Sequence, residues 1–100
     1  MVKHIILWTL KDDYSEDEKS AIKTGIKEGL EGLAGKIPGM TDIKVNINGL
    51  PGSSADLMLD ATFTDEASLK AYSVNPAHVA VADSKVRPFT KIRSCLDFMI

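Results

Sequence analysis

Val2-Lys3-His4-Ile5-Ile6-Leu7-Trp8-Thr9-Leu10 is the stretch that decides the fold. Side chains alternate across a strand, so His4, Ile6, Trp8 and Leu10 share one face and Lys3, Ile5, Leu7 and Thr9 the other. Both faces are apolar in the middle. A strand with two apolar faces belongs in the interior of a sheet, covered on each side. The remainder of the chain must supply its neighbours.

Downstream, Ser15 followed by Glu18 is a capping-box signature, and Glu16, Asp17 and Glu18 bring negative charge to a helix start, where the dipole favours it. Ile22, Ile26, Leu30, Leu33 and Ile37 then form one apolar stripe, predicting a helix of about five turns that Gly35, Pro38 and Gly39 end. Gly25, Gly29 and Gly32 inside that stripe weaken the helix or let it approach a neighbour closely. A second strand is expected over 41–48, with Ile43, Val45 and Ile47 on one face and Asp42, Lys44 and Asn46 on the other. A third is expected over 56–64, with Leu57, Leu59, Ala61 and Phe63 together. Asp65 caps a short helix carrying Leu69 and Tyr72; Asn75-Pro76 breaks it and restarts it through His78, Val79 and Val86. The last strand, 91–99, sorts Ile92, Ser94, Leu96 and Phe98 to one face and Arg93, Cys95, Asp97 and Met99 to the other.

The order is therefore β-α-β-β-α-β in a single domain over 1–100. It predicts an α+β, ferredoxin-like fold: a four-stranded antiparallel sheet with its helices on one face. Two helices cover only one side of such a sheet. Assigned to the uncovered side are Ile5, Leu7, Met58, Thr62, Cys95 and Met99, with Lys3, Asp60, Arg93 and Asp97 among them. That face is too apolar for open water, and a two-fold homodimer is the expected cover.

Bulk composition narrows the function classes. The 100 residues are 44% hydrophobic and 26% charged with a formal net charge of −2, ordinary values for a globular chain. No basic patch argues for nucleic acid, and no apolar stretch reaches the ~18 residues of a membrane span. The opening apolar run is too short for a secretory leader, and Asp12 and Asp13 follow at once. Cys95 is the single cysteine, so no intrachain disulfide forms, which fits a cytoplasmic location. His4, His78 and Asp83 have no metal-ligand spacing, so neither a metal nor another cofactor is expected. Cys95, assigned to the dimer face away from both histidines, is not expected to act as a nucleophile, and Asp97 is expected to pair with Lys3 or Arg93.

Val2 to Trp8, Leu59-Asp60-Ala61-Thr62-Phe63 and, most specifically, Tyr72-Ser73-Val74-Asn75-Pro76-Ala77-His78-Val79 together resemble the stress-responsive dimeric α/β-barrel (Dabb) family over essentially the whole chain. The resemblance implies a ferredoxin-like subunit that pairs into a dimeric α/β barrel. It also implies, from the plant polyketide-cyclase members, cofactor-independent chemistry in which His78 acts as general base while Tyr72 and His4 hydrogen-bond the substrate. Asn75, Trp8, Ile22 and Ile26 depart from the cyclase pattern. On this reading each subunit has a histidine-lined apolar pocket for a small apolar or aromatic ligand. Ile6 and Trp8 of the first strand, Leu59 and Ala61 of the third, Ile22 and Ile26 of the first helix, and Val79 beside His78 are its expected walls. The competing readings are a non-enzymatic stress-related binding or structural protein, and a cofactor-free or haem-linked monooxygenase. A pocket filled by Trp8 would favour the binding or structural reading; an open void beside His78 favours a ligand.

Overall fold

The computed structural model describes residues 1–100. Its strands are β1 (Val2–Leu10), β2 (Met40–Asn46), β3 (Leu57–Phe63) and β4 (Thr90–Met99). Its helices are α1 (Glu16–Glu31), α2 (Glu66–Val74) and α3 (Pro76–Val81). The sheet order is β2-β3-β1-β4, and every pairing is antiparallel. β1 thus sits between two partners, as its two apolar faces require. This is the ferredoxin-like arrangement. No helix is long and apolar enough to cross a membrane.

Local chemistry sets the helix boundaries. Glu18 N–H donates to Ser15 Oγ at 3.1 Å and Ser15 N–H to Glu18 Oε1 at 2.9 Å, so the capping box closes at the start of α1. The helix ends at Glu31, earlier than the apolar stripe suggests. Leu33 and Ile37 still enter the core, but from a run of turns, with Gly35 and Gly39 at φ +78° and +79°. Periodicity followed the buried residues and missed the change of backbone. Glu31 is also a fastener. Its carboxylate accepts from Lys27 Nζ at 2.8 Å and from the backbone N–H of Val45 at 2.9 Å, satisfying a donor on the edge strand β2.

The core lies between the helices and the β1–β3–β2 part of the sheet. Ile26, Leu30, Val45, Leu59, Ala61 and Phe63 are all but inaccessible within it. A methyl group on Gly29 would meet Val81 Cγ1 at 3.0 Å, so this glycine lets α1 and α3 pack closely and fixes where α3 rests.

The opposite face carries Lys3, Ile5 and Leu7, joined by Ile92, Ser94, Leu96 and Phe98 rather than by the alternate residues of β4. The register shows this: His4 is opposite Asp97, Ile6 opposite Cys95, and Trp8 opposite Arg93. Arg93, Cys95, Asp97 and Met99 therefore lie on the helix side, the reverse of the expected assignment. From its pattern, the apolar set on β4 is expected to face inward. Here the outer face is the apolar one and the inner face borders a partly polar cavity. Lys3 and Asp60 do pair on the outer face, at 2.8 Å. Leu96 is 64% exposed and Ile92 54%.

Candidate active site

The site is built at the break between α2 and α3. Asp65 caps α2 by accepting from Ser68 N–H at 2.7 Å. The residue before a proline is disfavoured in helical geometry, and Asn75 accordingly turns extended, at φ −65° and ψ 128°. Its side chain accepts from Ala77 N–H at 2.9 Å, and Pro76 starts α3 where no N–H is needed. The break brings the His78 ring over the Tyr72 ring, with centroids 4.0 Å apart and planes inclined at 35°. Past α3 the chain widens into a π turn over Ala82–Val86, closed by the Arg87 N–H donating to the Ala82 carbonyl, and then a 3₁₀ turn over Arg87–Phe89.

Between this segment and the β1–β4 side of the sheet lies a cavity of about 570 Å³. That is within the roughly 300–1,000 Å³ usual for small-molecule sites. His4, Tyr72 and His78 all line it, as do Ile6, Trp8 and Leu59. Trp8 forms a wall and leaves the volume open. Four expected wall residues are elsewhere. Ile26 and Ala61 are fully buried in the core, Ile22 packs on the core's margin, and Val79 on α3 does not border the cavity. For Ile22 and Ile26 the reason is the position of α1, which packs over β2 and reaches the cavity only through Leu30.

Tyr72 is 2% exposed, and its Oη is buried without a hydrogen-bond partner. Burial pushes its phenol up to about 12, slightly offset by the positive charge of Arg93. Tyr72 therefore stays protonated and can donate. His78 is half-buried, and its Nδ1 also lacks a partner. Desolvation holds this imidazole below its ordinary 6.5. The nearby backbone of Ser73 and Tyr72 opposes the drop, while the charge of Arg87 adds to it. A neutral imidazole at neutral pH is able to accept a proton.

His4 stands 6.1 Å from the Tyr72 ring, centroid to centroid, edge to face. Its Nδ1 is hydrogen-bonded to the Asp97 carboxylate across the β1–β4 pairing. In neutral His4 that bond places the proton on Nδ1 and leaves Nε2 as an acceptor. Asp97 thus orients a cavity histidine instead of pairing with Lys3 or Arg93. Cys95 is beside it, with Sγ 3.9 Å from His4 Nδ1 and 3.5 Å from Asp97 Oδ1. Desolvation first, and then the charge and hydrogen bond of Asp97, raise the Cys95 thiol above its ordinary value, which disfavours the thiolate, the nucleophilic form.

His4, Cys95 and Asp97 also offer nitrogen, sulfur and oxygen atoms all within 4.8 Å of one another. Such a donor set suits a Zn²⁺-like ion. Residue spacing gave no hint of it, because 91 residues separate His4 from Cys95 and only strand pairing unites them. In the structure His4 and Asp97 engage each other. Arg93, Cys95 and Asp97 on β4, and Lys70 and Arg87 on the helical side, are among the lining residues absent from the expected set. The signal that could have found the β4 residues is the period-two run Arg93-x-Cys95-x-Asp97, read as chemistry rather than as part of a dimer face.

The family model described as Stress responsive A/B Barrel Domain matches residues 2–100. Among solved structures, a dimeric protein of unknown function with a ferredoxin-like fold from Bacteroides fragilis NCTC 9343 is 32% identical, covers 99% of this chain and 95% of that one, and superposes with a TM-score of 0.91. A hydroxynitrile lyase from Passiflora edulis is 18% identical over 99% of this chain and 92% of that one, with a TM-score of 0.73. An antibiotic biosynthesis monooxygenase is 10% identical over 100% and 98%, with a TM-score of 0.75. At those identities the last two share the fold alone. No curated protein matches.

Proposed function

The chain belongs to the stress responsive A/B barrel domain family, and from that premise we propose that it is a homodimer whose subunits each bind a small aromatic or carbonyl compound and perform cofactor-independent acid–base chemistry on it. The observation that carries this reading is the cavity of about 570 Å³ lined by Tyr72 and His78, each of which keeps a buried polar atom without a partner. Such orphans are rare, because each costs about 1–3 kcal/mol, and a ligand that supplies their partners accounts for them.

In this mechanism the neutral His78 takes a proton from the carbon beside a carbonyl, or from a phenol. Tyr72 donates to the oxygen on which negative charge develops. Its high pKa keeps the phenol protonated throughout. His4, its Nδ1 held by Asp97, offers Nε2 to a substrate hydroxyl. Homodimerisation is supported by the apolar outer face and by the dimeric Bacteroides fragilis relative. A cytoplasmic location is proposed from the single unpaired cysteine.

The test is a thermal-shift screen of aromatic ketones and phenols, followed by NMR detection of deuterium uptake at the carbon beside the carbonyl. Exchange above the buffer rate is expected for the native protein and not for His78→Ala. Binding without catalysed exchange would favour the non-enzymatic binding reading, and absence of any ligand would favour a structural role.

A further inference from the structure

We infer that the cavity selects an organic monoanion, an aromatic or carbonyl compound bearing a carboxylate, with the carboxylate seated on Arg93 and the carbonyl end toward Tyr72 and His78. This deepens the proposed function and rests on it. Three cations line the cavity: Lys70, Arg87 and Arg93. Lys70 lies 4.0 Å from Glu66, and Arg87 is paired with Asp83. Arg93 alone has no carboxylate within ion-pairing distance: the polar side chain beside it is Cys95, and Asp97, four residues on and roughly 13 Å away by strand rise, is engaged by His4.

An exposed arginine is usually content with water, so Arg93 by itself would mean little. The second observation is Tyr72. It is 2% exposed, lines the same cavity, and keeps a hydroxyl that donates to nothing. A donor in the wall and a guanidinium on the adjoining strand both call for oxygen acceptors on whatever fills the space between them. The guanidinium fork matches a carboxylate through two parallel hydrogen bonds. Apolar Ile6, Trp8, Leu59 and Leu69 provide the surface for the ring or chain that joins the two ends. A dianion such as a phosphate monoester fits worse, since Glu66 and Asp97 border the same cavity and repel a second charge.

The probes are phenylglyoxylate and its methyl ester, which share the aromatic ketone and differ in charge. Calorimetry with the native dimer at low salt should show the acid binding about tenfold more tightly than the ester, equivalent to about 1.4 kcal/mol. Arg93→Gln should bring the ratio close to one by weakening the acid and sparing the ester, and Arg93→Lys should restore part of it. Raising the salt should shrink the ratio in the native protein. Equal binding of acid and ester by the native protein overturns the anion preference and leaves the proposed function standing. Equal weakening of both probes by Arg93→Gln, with thermal denaturation confirming a folded protein, overturns the assignment of the carboxylate to Arg93. If neither probe binds at millimolar concentration while other aromatic ketones do, the inference alone falls; if no aromatic carbonyl compound binds, it falls with the proposed function.

Discussion

Tyr72 and His78 lie in ring contact, centroids 4.0 Å apart, and each keeps one polar atom buried and unpaired. The tyrosine is therefore in tension with the fold. Tyr72→Phe removes an unsatisfied hydroxyl and leaves the ring packing. It should keep stability unchanged or raise it by about 1 kcal/mol, while weakening ligand binding or exchange activity. Urea unfolding alongside a ligand titration checks both halves. A loss of stability of more than about 1 kcal/mol would show that the hydroxyl has a structural partner after all.

The pH dependence of His78 follows from burial. Its folded value is below the ordinary 6.5, to which unfolding returns it. Between the two values the unfolded chain holds more protons, so stability rises with pH across that window. The contribution of neutral His78 is complete above about 6.5 and is lost as pH falls toward the lowered native value. Proton NMR of the imidazole should give a midpoint below 6.5, and the acid limb of any exchange activity should follow it. In urea melts, the deficit of the native protein relative to His78→Gln should grow between pH 7 and pH 5. A native midpoint at or above 6.5 would contradict the burial argument.

The elements that could be read from the chain are those where one local rule dominates. β1 announces itself by two apolar faces, α1 by the Ser15–Glu18 box, and the α2–α3 break by Asn75-Pro76. His4, Tyr72 and His78 could be nominated from a resemblance, and the structure gathers them at one cavity. β4 misled because the usual inference, apolar side inward, fails where the outer face is the apolar one and the inner face borders a polar cavity. With β4 reversed, Arg93, Cys95 and Asp97 were placed on the wrong side. The His4–Asp97 bond depends on strand register, which no local pattern specifies. The walls of the cavity depend on how α1 and α3 rest against each other, and Gly29 permits their close approach at Val81.

The outer face gives a direct test of assembly. Leu7, Ile92 and Leu96 are exposed on it, and Leu96 carries the larger uncovered surface. Leu96→Lys should shift sedimentation equilibrium at micromolar concentration from twice the chain mass toward a monomer. Because Leu96 is exposed in the subunit, the subunit's own packing should survive, and far-ultraviolet dichroism should be retained. Met99→Lys, on the opposite face of the same strand, is the contrast and should remain dimeric. A wild-type monomer would remove the case for the dimer. A dimeric Leu96→Lys variant would move the interface elsewhere.

Asp97 acts on two neighbours at once, and its removal should be legible in both. It accepts from His4 Nδ1 and, through charge and a 3.5 Å contact, raises the Cys95 thiol. In Asp97→Ala the imidazole loses the acceptor that fixes its tautomer, so nitrogen NMR should change from a single Nδ1–H form to a mixture. The Cys95 thiol should fall back toward its ordinary 9.0, though desolvation, the larger cause of its rise, persists. Alkylation by iodoacetamide at pH 8 should therefore speed up several-fold, within about one order of magnitude, since the thiolate is the reacting species. Stability should fall by only about 1 kcal/mol, because the Asp97 side chain is 43% exposed and water screens what it contributes. Local unfolding would also accelerate alkylation, but it would leave the Tyr72–His78 ring-current shifts altered, whereas loss of the carboxylate alone leaves them in place. Unchanged thiol reactivity together with an unchanged His4 tautomer would mean that the Asp97 carboxylate does not govern this corner of the cavity.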